Sequence, residues 1–260
     1  MADPVLSDFW SALSRHTPAR IALGRAGSAA PTTRVLEFAL AHARARDAVH
    51  TAFDADGTEQ AIRALGFDTL RVRSAAGNRT TYLARPDLGR RLSGESREAL
   101  ARREFDPVDL SIVVADGLSS TAIHAHAARF LAALKPWIAA AQWTVGPVAV
   151  AEQARVALGD EVGFAMKARA VLLMVGERPG LSSPDSLGLY LTYDPKIGRD
   201  DSERNCISNI RPEGLGFELA AFKLAWLLRE AFARKLTGVR LKDESDLLLS
   251  DGRPPTPRLG

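Results

Sequence analysis

Three segments of the chain combine backbone freedom with polar side chains, the mixture from which ligand sites are built. The first is Asp116-Gly117-Leu118-Ser119-Ser120-Thr121, directly after the apolar run Leu110 to Ala115. Glycine lets backbone approach a ligand closely, and a Ser/Thr-led helix start presents N–H groups to an anion. The competing reading is that Ser119 or Ser120 caps the following helix. The second is Gly176 to Ser186, GERPGLSSPDS, directly after the apolar run Ala170 to Val175. Its two prolines and two glycines make a rigid irregular loop, which holds a ligand at low entropic cost. Glu177 stands at its start as an acceptor, unless an exposed ion pair with a nearby arginine occupies it. The third is Asp200 to Gly214, DDSERNCISNIRPEG, read as a polar loop in which Asn205, Asn209 and Arg211 supply donors.

Several chemistries have no support in the residues. Cys206 is the one cysteine, so an internal disulfide and a cysteine-rich zinc site are excluded. A lone thiol is a small hydrophobe more often than a nucleophile, and no histidine lies near it in sequence. His16, His42, His50, His124 and His126 show no usual metal spacing, and His124 and His126, two apart, point to different sides of a helix. Neither a G-x-G-x-x-G fingerprint nor a G-x-x-x-x-G-K-[ST] loop is present. Residue types alone leave a stand-alone nucleotide- or phosphate-binding enzyme, working through the Asp116–Thr121 loop, as an open alternative.

The elements that position these segments are legible from periodicity. Phe9, Trp10 and Leu13 have helical spacing, RIALGRAG (20–27) reads as a loop, and Pro31-Thr32-Thr33 opens a helix. A short helix is expected from Thr58 to Leu65. A hairpin is expected around Gly77-Asn78, and a helix from Pro86 to about Arg103. Strands are expected at 110–115, 143–150, 170–175 and 187–192. Helices are expected from about Thr121 to Ala141, Glu161 to Ala168 and Leu215 to Leu236, the last with apolar residues at i, i+3, i+4 and i+7. Alternating strands and helices predict an α/β fold. We expect a C-terminal, Rossmann-like, mainly parallel sheet flanked by helices, after a mostly helical N-terminal region. The expected organisation is 1–107 for that region, with partner contacts, 108–250 for an α/β ligand-binding domain, and 251–260 for a mobile Pro/Gly-rich tail.

Composition narrows the class. The 260 residues are 46% hydrophobic and 25% charged, which fits a packed globular protein and not a disordered or fibrous one. Lys plus Arg is 34 against 31 for Asp plus Glu, a net +3. No run of basic residues exceeds two, so a nucleic-acid partner is not implied. No apolar run approaches a membrane span, and the start, with Asp3, Pro4 and Asp8, does not read as a signal peptide.

Longer motifs carry a resemblance. VGERPGLSSPDSLGLYLTY (175–193) and RNCISNIRPEGL (204–215) resemble the small subunit of ethanolamine ammonia-lyase. So do TPARIALGRAG (17–27), HARARDAVH (42–50), VADGLSSTAIHAHA (114–127), RVALGDEVG (155–163) and KLAWLLREAFARKLTGVRLKDE (223–244). The similarity is loose over the first sixteen residues, about 52–103, and the tail. It implies a subunit of an adenosylcobalamin-dependent lyase that converts ethanolamine to acetaldehyde and ammonia. By the same resemblance a large TIM-barrel subunit holds substrate and radical chemistry, and the small subunit covers the cobalamin at the interface. The implied cobalamin contacts are Val156, Glu177 and Cys206, with no catalytic residue and no metal ligand on this chain. An Asp-x-His-x-x-Gly motif is absent, so cobalt is expected to keep the cofactor's own benzimidazole. The arm at 5–13 and the arginine-rich helix at 42–46 are candidate contacts with the large subunit. The family also implies a hetero-oligomer of paired large and small subunits, cytoplasmic, within a bacterial microcompartment of the ethanolamine-utilisation type.

Overall fold

The computed structural model describes residues 9–17, 19–249 and 253–257. Residues 5–8 of the expected arm, and 251, 252 and 258–260 of the expected mobile tail, lie outside these. A 3₁₀ helix, Phe9–His16, and a loop lead into α1 (Thr32–His50). Next come α2 (Ala55–Ala64), β1 (Thr69–Arg73), α3 (Arg79–Ala84), α4 (Pro86–Gly89) and α5 (Gly94–Ala101). The α/β body continues with β2 (Val108–Ala115), α6 (Ser120–Ala140), β3 (Val148–Glu152), α7 (Leu158–Ala165) and β4 (Ala168–Gly176). It ends with β5 (Leu187–Tyr193), β6 (Asn205–Ile210) and α8 (Phe217–Arg234).

Among the described residues six strands form one sheet in the order β1-β3-β2-β4-β5-β6. The first four are mutually parallel. β5 runs antiparallel to β4, and β6 antiparallel to β5. The expectation of a C-terminal, Rossmann-like, mainly parallel sheet is therefore corrected: the sheet is mixed, and its first strand, β1, comes from the N-terminal third. The cause is the connection. A parallel return needs a crossover of about a dozen residues or more, usually helical. Only ten, Glu177 to Ser186, separate β4 from β5, and they hold no helix.

Three further expectations give way. The helix expected from Pro86 to about Arg103 is two, α4 and α5, broken at 90–93. The hairpin around Gly77-Asn78 is absent. Asn78 instead caps α3, its side-chain oxygen accepting the Thr81 N–H at 2.9 Å, while β1 pairs with β3. The segment Asp200–Gly214 is not wholly loop, since it contains β6. This edge strand turns Ile207 and Ile210 inward and leaves Cys206 and Ser208 exposed, so its apolar signal is only half that of a central strand.

The two faces of the sheet are covered unequally. Ile112, Val114, Val150, Leu172, Met174, Leu189 and Ile207 pack against α2, α6 and α8 in the larger core. Val72, Val113, Ala149, Leu173 and Val175 form a smaller core on the opposite face, where α7 lies over β2 and β4 and α5 over β1. Residues of that second face on β5 and β6 extend past α7. Tyr190 is half-buried and its register partner Cys206 is exposed.

Candidate functional site

The carboxyl ends of β2, β3 and β4 lie side by side, which brings together three loops distant in sequence. Loop 116–119 follows β2, loop 153–157 follows β3 and loop 177–186 follows β4. Ligands in open α/β sheets sit beyond such strand ends. Here a cavity of about 620 Å³ is walled by Gly117 and Leu118 of the first loop, Arg155, Val156 and Ala157 of the second, and Gly176, Glu177 and Arg178 around the third. Tyr82, Arg90, Val175, Tyr190 and Asp201 complete it.

Close backbone approach holds the walls together. Gly117 has φ +59°, and a side chain on it would collide with the carbonyl of Gly176. Leu118 N–H donates to that carbonyl at 2.9 Å. Ser119 resolves the competing readings of its loop. Its hydroxyl caps α6, accepting the Ala122 N–H at 3.3 Å, and donates to Pro184 O at 2.8 Å. Ser119 and Ser120 are both buried, so loop 177–186 closes over this helix end. A second tie to that loop is His126 of α6, whose Nε2 lies 3.0 Å from Asp185 Oδ2.

Glu177 sits half-buried at the cavity edge. Its Oε2 accepts from the Ser186 hydroxyl and, at 3.2 Å, from the Asn209 N–H beyond the middle of β6. Its side chain lies over Gly188, where any larger residue would displace it. Oε1 takes no hydrogen bond among the described residues. Val156 is half-buried too, with its side chain against the smaller core and its carbonyl accepting the Gly159 N–H at 3.1 Å. Val156 and Glu177 thus share one cavity. Cys206 does not line it. It is adjacent, paired across the ladder with Tyr190, which does line it, and its Sγ lies 3.4 Å from Ser208 Oγ. Burial first, then the neighbouring Cys206 and Glu177, pushes the Tyr190 phenol above its ordinary range, so it is a neutral donor.

Behind the wall lies a buried polar group. Asp116 is 1% exposed, and its Oδ1 accepts the N–H groups of Gly117 at 3.0 Å and Ala154 at 3.1 Å. Arg79 lies 3.5 Å from Oδ2 and donates to Gly117 O at 2.7 Å. Burial, opposed by these donors and Arg79, pushes the Asp116 carboxyl up to about 6. Tyr82 is fully buried beneath the guanidinium groups of Arg79 and Arg155, 4.8 and 4.6 Å from its ring centre. On the other side the buried pair Arg204–Asp160, at 2.7 Å, ties the start of β6 to α7. Arg204 also donates to Thr192 Oγ1 at 3.0 Å and Arg199 O at 2.8 Å.

Tyr190, Tyr82, Arg90 and Arg155 escape sequence reasoning. Tyr82 and Arg90 fall in the 52–103 stretch of loose similarity, and only the pairing of β1 with β3 brings them here. Arg155 adjoins Val156 in the RVALGD motif, the one signal that could have found it. Among the described residues no group of three or more His, Cys, Asp or Glu is placed to hold a metal ion, and no helix is long and apolar enough to cross a membrane.

An open basin lined by both donors and acceptors suits a corrin edge, whose rim carries amide groups that both donate and accept. The wall supplies a carboxylate oxygen without a donor, a phenol, apolar Val156, Leu118 and Val175, and an Arg155 Nε–H that is buried without a partner. Unpaired buried donors are rare in folded proteins, so a bound group is expected to meet it.

The family profile of the ethanolamine ammonia-lyase light chain matches residues 7–242. An ethanolamine ammonia-lyase small subunit of Xanthomonas campestris pv. campestris is 55% identical over 242 residues, covering 92% of this chain and 89% of that protein. One from Pseudomonas fluorescens is 51% identical over 249 residues, 95% and 90% of the two chains, and one from Azotobacter vinelandii is 50% identical over 252, 96% and 93%. With a profile match over most of its length and relatives at half identity or above, the chain belongs to the family of ethanolamine ammonia-lyase small subunits.

Proposed function

We propose that the chain forms one wall of the adenosylcobalamin site of an ethanolamine ammonia-lyase, closing over the cofactor against a large catalytic subunit. The observation that carries this reading is the convergence of Val156 and Glu177, 21 positions apart, on one cavity beside the Cys206 edge. Glu177 Oε1 accepts a rim amide N–H in a charge-assisted bond, while Ser186 and Asn209 hold the carboxylate through Oε2. Val156 gives apolar contact. Tyr190 offers a hydroxyl donor, and Cys206 a polarizable sulfur at the exposed margin. Among the described residues no cluster of metal-ligating side chains faces the cavity, so this chain would hold the cofactor through its corrin rim and not through cobalt. When bound, the cofactor supplies radical chemistry by homolysis of its cobalt–carbon bond. The chain's part is to hold the corrin and exclude water from one side, which such chemistry requires.

The large subunit covers the N-terminal surface in this reading. α1 exposes Val35, Leu36, Phe38 and Leu40, with Leu36 at 64% exposure, and buries only Ala41 and Ala48. Trp10 and Leu13 of the 3₁₀ helix are exposed as well. An apolar array of this size on a charged helix marks a contact surface. Region 1–107 thereby makes the partner contacts and 108–250 most of the cofactor wall, to which Tyr82 and Arg90 of the first region also contribute, in a hetero-oligomer of paired subunits within an ethanolamine-utilisation microcompartment.

The test is reconstitution. Visible spectra of this chain alone, of its large subunit alone and of the mixture, each with adenosylcobalamin, are compared with ammonia release. Tight cofactor retention and ammonia only in the mixture are expected. Acetaldehyde from this chain alone would overturn the division of labour. Nucleotide binding by the isolated chain would favour the stand-alone alternative.

A further inference from the structure

The cavity wall carries three arginines, Arg90, Arg155 and Arg178, and two acids, Glu177 and Asp201. Both acids have partners: Glu177 holds Ser186 and Asn209, and Asp201 lies 3.3 Å from Arg204. None of the three arginines forms an ion pair among the described residues. The fold forces them together. Arg155 N–H donates to Gly89 O at 2.8 Å, and the Arg155 stem packs on Gly89, where a side chain would press into it. That sets Arg90, at the end of α4, beside Arg155. Arg178 approaches from loop 177–186. Arg155 is the most constrained: its guanidinium lies over the Tyr82 ring, and among the described residues its Nη2 reaches only Tyr82 O at 3.4 Å and its Nε is buried with no partner.

Amide groups of a corrin rim are neutral and do not balance three unpaired guanidinium groups. A phosphodiester does, since arginine forks match its oxygens in charge and geometry. We infer that Arg155, with Arg90 and Arg178, binds the phosphodiester in the nucleotide loop of the cobalamin, the anionic substituent of that ligand. This deepens the proposed function and rests on it.

The test uses the complex of this chain with its large subunit and two probes, cyanocobalamin and cobinamide, which has the corrin but neither nucleotide nor phosphodiester. Arg155→Gln is expected to weaken cyanocobalamin roughly tenfold or more, the scale of one lost charge-assisted bond, and to leave cobinamide affinity unchanged. Arg90→Gln and Arg178→Gln, at exposed positions that do not support the core, show the same selectivity with a smaller loss. Added salt weakens cyanocobalamin more than cobinamide. Equal losses for both probes, or no loss with all three variants, overturn the inference and leave the proposed function standing. Subunit dissociation in the variants with an unchanged probe ratio also overturns it, by assigning the arginines to the partner. An unsubstituted complex that takes up neither probe sinks the proposed function and this inference with it.

Discussion

Removing the Glu177 carboxylate tests its proposed binding duty beside its structural one, because the two oxygens are placed differently. Oε2 clamps loop 177–186 to β6 through Ser186 and Asn209, and Oε1, with no hydrogen bond among the described residues, is the oxygen proposed to meet the ligand. In Glu177→Ala both are lost. A charge-assisted bond to a ligand amide contributes about 1.5–3 kcal/mol, so cobalamin affinity of the two-subunit complex should fall about 10- to 100-fold. The clamp is at the surface, and its loss should cost about 1 kcal/mol, a fall in Tm of about 2–4 °C. Glu177→Gln keeps an acceptor without the charge. Neutral bonds are about half as strong, so its affinity loss should be roughly the square root of the alanine loss. Spectral titration of the reconstituted complex with cyanocobalamin reads affinity, and calorimetry of the free chain reads Tm. An alanine variant with unchanged affinity refutes the assignment. So does one whose Tm falls by tens of degrees, since the carboxylate would then be holding the fold rather than the ligand.

Other residues give sharper expectations on stability or assembly. Cys206→Ser keeps size and a polar tip, so cobalamin affinity should change by less than about threefold; a loss as large as that of Glu177→Ala would place the sulfur against the ligand more intimately than its exposed edge position suggests. Asp160→Asn leaves Arg204 charged and buried, 2% exposed, with only the solvent-facing Asp201 to pair it, and should cost about 3–5 kcal/mol in denaturant unfolding; a cost under about 1 kcal/mol would mean Asp201, Thr192 and Arg199 suffice. Asp116 is pushed up to about 6 in the folded chain against an ordinary 3.8, so folding favours its protonated form. Its contribution is complete below the unfolded value and is lost as pH rises through about 6, so from pH 7 to pH 4 the stability of the chain relative to Asp116→Asn should rise by about 2 kcal/mol, and a flat difference would refute the shift. Leu36→Glu with Leu40→Glu on α1 should weaken association with the large subunit in sedimentation while leaving Tm within a few degrees; unchanged association would move the contact elsewhere.

The central strands were legible because they are buried on both faces and read as unbroken apolar runs, LSIVVA and AVLLMV. α6 and α8 were legible from their length and period. β6 was not, because an edge strand with Cys206 and Ser208 facing outward has half its positions polar. The reversal at β5 was readable in principle, from a ten-residue connection too short for a crossover, but the strand–helix alternation before it dominates the pattern. Asn78 eludes local pattern for a related reason: Gly-Asn serves a hairpin or a helix cap equally well, and the choice is made by β3, seventy residues away. At the site, the resemblance indicated Val156, Glu177 and Cys206, whereas Tyr82 and Tyr190 meet only through the strand order, which no local pattern encodes.

That strand order also explains why the basin is open. α2, α6 and α8 all return to one face of the sheet, while α7, only eight residues long, lies over β2 and β4 on the other. Once β5 and β6 reverse with only a three-residue 3₁₀ turn, Asp201–Glu203, between them, no α-helix among the described residues is left to cover Tyr190 and Cys206. Natural sheets seldom leave such an edge bare, since an uncovered edge invites unwanted pairing. The exposed face is nevertheless bordered by costly features: a buried ion pair holding the start of β6, a glutamate clamp near its end, and unpaired arginines beside it. Rigidity of this kind around an uncovered surface is difficult to account for in a chain that acts alone. It is what a wall needs when its other half belongs to a different subunit and the space between must hold its shape before the cofactor arrives.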